Sequence, residues 1–173
     1  MAKEIIYTIG HSTLPIEKFI SLLTDHKIEL LADIRTIPRS HHNPQFNKDS
    51  LPAAIAPIEY RHLKALGGLR KPRPDSPNTA WQNASFQGYA DYTLTDEFIQ
   101  ALDELIMLAS TLRTAIMCAE ALPWRCHRSI VADELLLRKI DVTHIFPASR
   151  DKKHEMTEFA RRVKGKLIYP DQP

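Results

Sequence analysis

The chain has 173 residues, 43% of them hydrophobic and 25% charged, with a formal net charge of +2. That is the composition of one globular domain, not of a disordered or fibrous chain. Two cysteines are too few for a disulfide framework or an all-cysteine zinc site. No apolar run is long enough for a membrane span, and the start lacks a signal peptide's apolar core, so a cytoplasmic protein is expected.

The first element is a strand, Ile5 to Ile9, ending at Gly10. Ile16, Phe19, Ile20 and Leu23 then recur at helical spacing. Pro15 suits the first turn of that helix, and Ser12 or Thr13 can cap it. Ile28 to Ile34 reads as a second buried strand, completing a right-handed βαβ unit.

Charge and proline then concentrate. Residues 35–73 carry +6, leaving −4 for the rest, and seven of the twelve prolines lie between Pro38 and Pro77. Proline opposes helix and central strand alike. The segment from about 35 to 90 therefore reads as a long basic excursion, with a short strand at Ile58 to His62. Its charge points to an anionic small molecule or a nucleic acid, or simply to a solvated surface.

Thr95 caps a helix with core positions Phe98, Leu102, Leu105, Ile106 and Ala109. Thr114 to Cys118 is a strand, His127 to Ile140 a helix, and Val142 to Phe146 a strand. Met156, Phe159, Ala160 and Val163 mark a last helix stopped by Gly165, and Lys166 to Tyr169 an edge strand. Alternating elements predict a single α/β domain over residues 1–173. Its sheet is mostly parallel and Rossmann-like, with helices on both faces.

In such folds ligands bind beyond the carboxyl ends of the strands. Gly10-His11-Ser12, Asp33-Ile34-Arg35 and Cys118-Ala119-Glu120 end three strands, and His144 lies near the end of a fourth. The densest cluster runs from Met117 through Arg125-Cys126-His127-Arg128. Cys126 falls at a helix start beside Arg125, His127 and Arg128, which favours a low-pKa thiol. Cys118 and Cys126 are the candidate nucleophiles, or small buried residues. Glu120 and His11 are the candidate acid/base groups, and Glu120 reads equally as an ion-pair partner of Arg125 or Arg128. Arg35, Arg125 and Arg128 are the anion clamps. Gly10, Ser12, Asp33, Tyr60 and His127 complete the binding set, though Arg35 is also suited to pairing with Asp33 or Glu120. Tyr60, Trp81, Phe86 and Tyr89 are available to stack bases.

Several patterns are near misses. Six residues separate Cys118 from Arg125, where a phosphatase loop needs five. The cysteines are too far apart for Cys-x-x-Cys, and no glycine-rich turn makes a nucleotide loop. No cofactor is predicted. His11, Asp33, Cys118, Glu120, Cys126, His127 and His144 are zinc or iron ligand types without diagnostic spacing.

The motifs Thr8-Ile9-Gly10-His11-Ser12, Asp33-Ile34-Arg35, Asn43-Pro44-Gln45-Phe46, Leu66-Gly67-Gly68, Phe86-Gln87-Gly88-Tyr89-Ala90 and Met117-Cys118-Ala119-Glu120 carry a resemblance, together with Tyr60, Cys126-His127-Arg128 and His144. The chain resembles the bacterial and archaeal family catalogued as domain of unknown function 488, over roughly residues 5 to 163. The resemblance implies a single α/β domain and brings no agreed reaction. The residues support two expectations. One is an enzyme acting on a phosphate-bearing substrate, a nucleotide or nucleic-acid end. The other is a non-catalytic nucleic-acid-binding module.

Overall fold

The computed structural model describes residues 4–171, so the Met1-Ala2-Lys3 start lies outside the described residues. The order along the chain is β1 (Ile5–Gly10), α1 (Ile16–Asp25), β2 (Leu30–Asp33), α2 (Leu51–Ile55) and β3 (Glu59–His62). Then come α3 (Ala84–Tyr92), α4 (Asp96–Ala109), β4 (Thr114–Cys118), α5 (Arg128–Leu137), β5 (Asp141–Ile145) and β6 (Lys152–Lys153). One sheet runs β3-β2-β4-β1-β5-β6. Its first five strands are parallel and β6 is antiparallel.

The central strands β2 and β4 are buried throughout, as a sheet covered on both faces requires. Side chains alternate between two cores. Ile6, Ala32, Ile116 and Val142 pack with Tyr89, Phe98, Leu102, Ile130 and Leu135 from α3, α4 and α5. Tyr7, Ile9, Leu31, Ala115 and Met117 pack with Phe19 and Leu23 of α1 and Leu51 and Ile55 of α2. Thr95 caps α4 as expected, its Oγ1 accepting from the Phe98 N–H at 3.3 Å.

The strand order makes a switch point. The crossover from β1 passes over β4 to reach β2, while that from β4 passes over β1 to reach β5. The two connections leave in opposite directions and on opposite faces. A crevice opens between them at the carboxyl edge.

Four details differ from the sequence-based expectations. The helix expected over Met156 to Val163 does not form. Arg161–Val163 (β7) and Lys166–Ile168 (β8) make a separate hairpin instead. Lys164 and Gly165 both have positive φ (51° and 78°), as a two-residue turn matching strand twist requires. Gly165 is thus a hairpin residue, and the strand at Lys166 pairs with β7 rather than edging the main sheet. Neither Ser12 nor Thr13 caps α1, which has Pro15 at its N-cap and no side-chain cap. The basic segment also contributes more order than its prolines suggest. Besides the expected strand, formed as edge strand β3, it supplies helices α2 and α3, and the Asn83 cap of α3 accepts from Ser85 N–H at 2.8 Å. No helix among the described residues is long and apolar enough to cross a membrane.

Candidate functional site

The loops after β1 and β4 stay paired beyond the strands. His11 N–H donates to the Cys118 carbonyl at 2.9 Å and Ser12 N–H to the Ala119 carbonyl at 3.0 Å. A Cβ on Gly10 would lie 1.9 Å from the Glu120 carbonyl oxygen and 2.8 Å from Arg128 Nη2. The bare backbone at Gly10 therefore admits this loop, not a ligand. Arg128 is fully buried. Its Nη2 donates to the Glu120 carbonyl at 2.5 Å and its Nη1 to Thr8 Oγ1 at 3.1 Å. It braces the switch point from inside.

Arg35 is similarly committed. Its Nε and Nη2 bind both oxygens of Asp33, at 2.9 and 2.7 Å, and Nη2 also donates to the Phe46 carbonyl. Tyr60 donates its hydroxyl to Asp33 Oδ2 at 2.5 Å. Burial, then the Asp33 carboxylate, raises the Tyr60 pKa above its ordinary value. His11 Nδ1–H donates to the Ser12 carbonyl at 2.8 Å, which leaves Nε2 to accept from Arg35 Nη1 at 3.3 Å. Burial first, then Arg35 and Arg128, lower the His11 pKa to about 4, and its ring stacks on Phe46. Both its nitrogens are thus occupied.

The other side of the carboxyl edge is different. Pro123–Arg125 forms a single 3₁₀ turn that brings Cys126 to the start of α5. Cys126 Sγ accepts from the Arg128 backbone N–H at 3.4 Å and lies 3.5 Å from His127 Nδ1. His127 Nε2 sits 2.9 Å from the Ile34 carbonyl, which only accepts. Nε2 must therefore carry hydrogen, and Nδ1 faces the sulfur as acceptor from a thiol or donor to a thiolate. Burial pushes the Cys126 thiol up. The neighbouring Cys118 thiol, the contact with His127 and the charge of Arg128 outweigh that and hold it well below the usual thiol range. Cys118 moves the other way, well above that range, through burial and then the neighbouring Cys126.

These groups open into a cleft of about 330 Å³ that also includes Arg35, Thr36, Ile37, Arg39, Gly68, Leu69, Phe86, Tyr89, Glu120 and Arg125. Ile37 (62% exposed) and Leu69 (76%) form an apolar lip. Gly68 lets the His127 ring approach, since a Cβ there would lie 3.2 Å from Nδ1. The Arg39 and Arg125 side chains are exposed and have no hydrogen-bond or ion-pair partner among the described residues. Glu120 is exposed too. Its carboxylate makes one long contact, with Leu122 N–H at 3.5 Å, and pairs with neither Arg125 nor Arg128.

The family described as Domain of unknown function DUF488 matches the chain over residues 15–135. The chain belongs to this family. No curated protein and no solved structure matches it. The matched span of this DUF488 chain includes Asp33, Arg35, Tyr60 and all of Cys118 to Arg128, whereas Gly10, His11, Ser12 and His144 lie outside it.

The DUF488 fold thus divides the residues singled out from sequence. Cys118, Glu120, Arg125, Cys126, His127 and one edge of Arg35 share the cleft. Gly10, His11, Asp33 and Arg128, all buried, and the half-buried Ser12 and Tyr60 form the frame around it. His144 stands elsewhere, in a chain from Thr8 Oγ1 (2.6 Å) through His144 to His154 (2.9 Å) and Asp133 (2.8 Å). No group of three or more His, Cys, Asp or Glu side chains is arranged to hold a metal ion among the described residues. Sequence reasoning missed Arg39 as a site residue. Its only signal was membership of the basic segment.

Proposed function

We propose that the chain is an enzyme in which Cys126 attacks a phosphate-bearing substrate held at the carboxyl edge of the sheet. The observation that carries this reading is the 3.5 Å contact between Cys126 Sγ and His127 Nδ1, with His127 oriented by the Ile34 carbonyl. A nucleophile, a base in contact and a third group orienting the base are the parts that thiol catalysis needs. His127 takes the thiol proton. Arg39 and Arg125, unpaired at the mouth, bind the phosphate, and Glu120 beside them is the acid/base group for the leaving group. The apolar lip of Ile37 and Leu69, with Phe86, suits an organic portion such as a base, so a nucleotide or nucleic-acid end is the preferred substrate. A cytoplasmic setting would keep both thiols reduced.

A non-catalytic nucleic-acid module has less support. Tyr89 is buried in the core, Tyr60 binds Asp33, and Trp81 packs on Phe86, Phe159 and Tyr169, so none of the three is a free stacking surface.

Alkylation tests the enzyme reading. Iodoacetamide should modify Cys126 faster than it modifies glutathione at about pH 6.5, where an ordinary thiol is mostly protonated. Inorganic phosphate or a nucleotide should slow the reaction. The R39A/R125A protein should keep the fast rate and lose the protection. A rate no faster than that of glutathione removes Cys126 as nucleophile, and a rate that no anion alters removes the phosphate.

A further inference from the structure

Two cysteines of opposite character meet in this cleft. Cys118 is fixed at the end of β4, and Cys126 at the junction of the 3₁₀ turn and α5. The Cys118 thiol donates to the Glu120 carbonyl at 3.8 Å, the same oxygen that Arg128 grips, and both sulfurs line the same opening. These are the only cysteines in the chain. The loop between them is held by Arg128, which grips the Glu120 carbonyl, while Arg128 N–H contacts Cys126 Sγ. One buried residue therefore fixes both the loop and the sulfur.

We propose that Cys126 and Cys118 form a reversible redox couple, in which a hydroperoxide converts the reduced cleft into one closed by a Cys118–Cys126 disulfide. The inference rests on the reading of Cys126 as an activated thiol and adds regulation of that site. The Cys126 thiolate attacks the terminal oxygen of the hydroperoxide. The O–O bond breaks, a sulfenic acid forms, and the departing alkoxide takes the proton from His127 Nδ1 to leave as an alcohol, or as water from hydrogen peroxide. Cys118 sulfur then attacks Cys126 sulfur, and the hydroxide leaves as water with the Cys118 proton. Two electrons pass from the two sulfurs to the peroxide. Two equivalents of a small thiol reverse the change by exchange, through a mixed disulfide, and leave as the small thiol's own disulfide.

The assignment of roles follows from chemistry. The thiolate is the reacting form, so the sulfur that contacts His127 and a helix N–H is attacked first. Burial and its neighbour hold the Cys118 thiol protonated, so it is spared the first attack and brings the proton that the departing hydroxide takes as Cys118 closes the disulfide. Both sulfurs face one opening and lie on either side of the loop that Arg128 holds, and the disulfide joins them at a bond length of about 2.05 Å. The disulfide removes the nucleophile and so switches off the chemistry proposed above.

The experiment exposes the native protein to an equimolar amount of hydrogen peroxide. Intact mass and free-thiol titration are followed with time. The expected result is loss of both thiols together, a mass lower by two hydrogen atoms, and full recovery with dithiothreitol. In the C118A protein, with C118S as a second variant, dimedone should trap a sulfenic acid at Cys126. Accumulation of sulfinic acid on Cys126 with Cys118 still free would overturn the couple, as would disulfides found only between chains. The two readings separate cleanly. Fast iodoacetamide labelling without disulfide formation leaves the nucleophile standing and removes the switch, whereas slow labelling together with inertness to peroxide removes both.

Discussion

His127 donates through Nε2 to the carbonyl of Ile34 at 2.9 Å, and this bond turns its Nδ1 toward Cys126. Substituting His127 with Phe keeps a ring in the space between Gly68 and Tyr89 but removes both nitrogens. The Cys126 thiol should then titrate higher. Alkylation near pH 6.5 should slow by about tenfold for each unit of increase, while the rate at pH 10 changes little. A pH-rate profile identical to that of the parent would show that His127 does not hold the proton.

Arg35 was expected to be an anion clamp or to pair with Asp33 or Glu120, and the structure shows the pairing with Asp33. Asp33 is completely buried and both its oxygens are bound by Arg35. Arg35→Ala leaves that carboxylate with Tyr60 as its side-chain partner. Loss of one member of such a pair costs about 3–5 kcal/mol. Denaturant unfolding should register a loss of this size, larger than for Arg125→Ala, whose side chain is exposed. Equal effects would contradict the buried pair.

Gly10→Ala should also destabilise. The added methyl meets the Glu120 carbonyl at 1.9 Å, and the atom in the way is backbone. The loop after β4 must move, at a cost of about 1–3 kcal/mol or more. Because that loop carries the approach to Cys126, thiol reactivity should fall along with the melting temperature. Unchanged values of both would refute the close packing.

Acid should unfold the protein through two histidines. Burial lowers the pKa of His11 to about 4 and that of His144 to about 3, while the unfolded chain protonates both near the ordinary value of 6.5. Below about pH 6.5 the unfolded state binds more protons, so stability falls as pH falls. Each histidine contributes up to about 1.4 kcal/mol per pH unit until its folded pKa is reached. The H11N and H144N proteins should each show a shallower slope between about pH 6 and 5.

Much of the fold was legible because parallel strands are buried on both faces and announce themselves as apolar runs. The spacing at Thr95 gave α4 and its cap. The hairpin at Arg161 to Ile168 was hidden because Phe159, Ala160 and Val163 happen to follow helical spacing, and the turn depends on positive φ at Lys164 as well as Gly165. At the site, Cys126 and His127 could be singled out from residue type beside a helix start. The division between cleft and frame could not, because Arg35, Arg125 and Arg128 are identical in type. Only burial and partners show that two are committed inside the protein and one faces solvent.

The walls of the cleft come from four distant stretches of chain, near residues 35–39, 68–69, 85–89 and 118–127. Three of them lie outside the strand-and-turn segment that carries both cysteines. Reactivity at Cys126 is therefore a gauge of tertiary order across the molecule. A mild denaturant that frees the segment carrying Gly68 and Tyr89 would leave the His127 ring held by the Ile34 carbonyl alone, and so loosen its contact with the sulfur before the sheet comes apart. The thiol would then report the loosening of that segment ahead of any spectroscopic sign of unfolding.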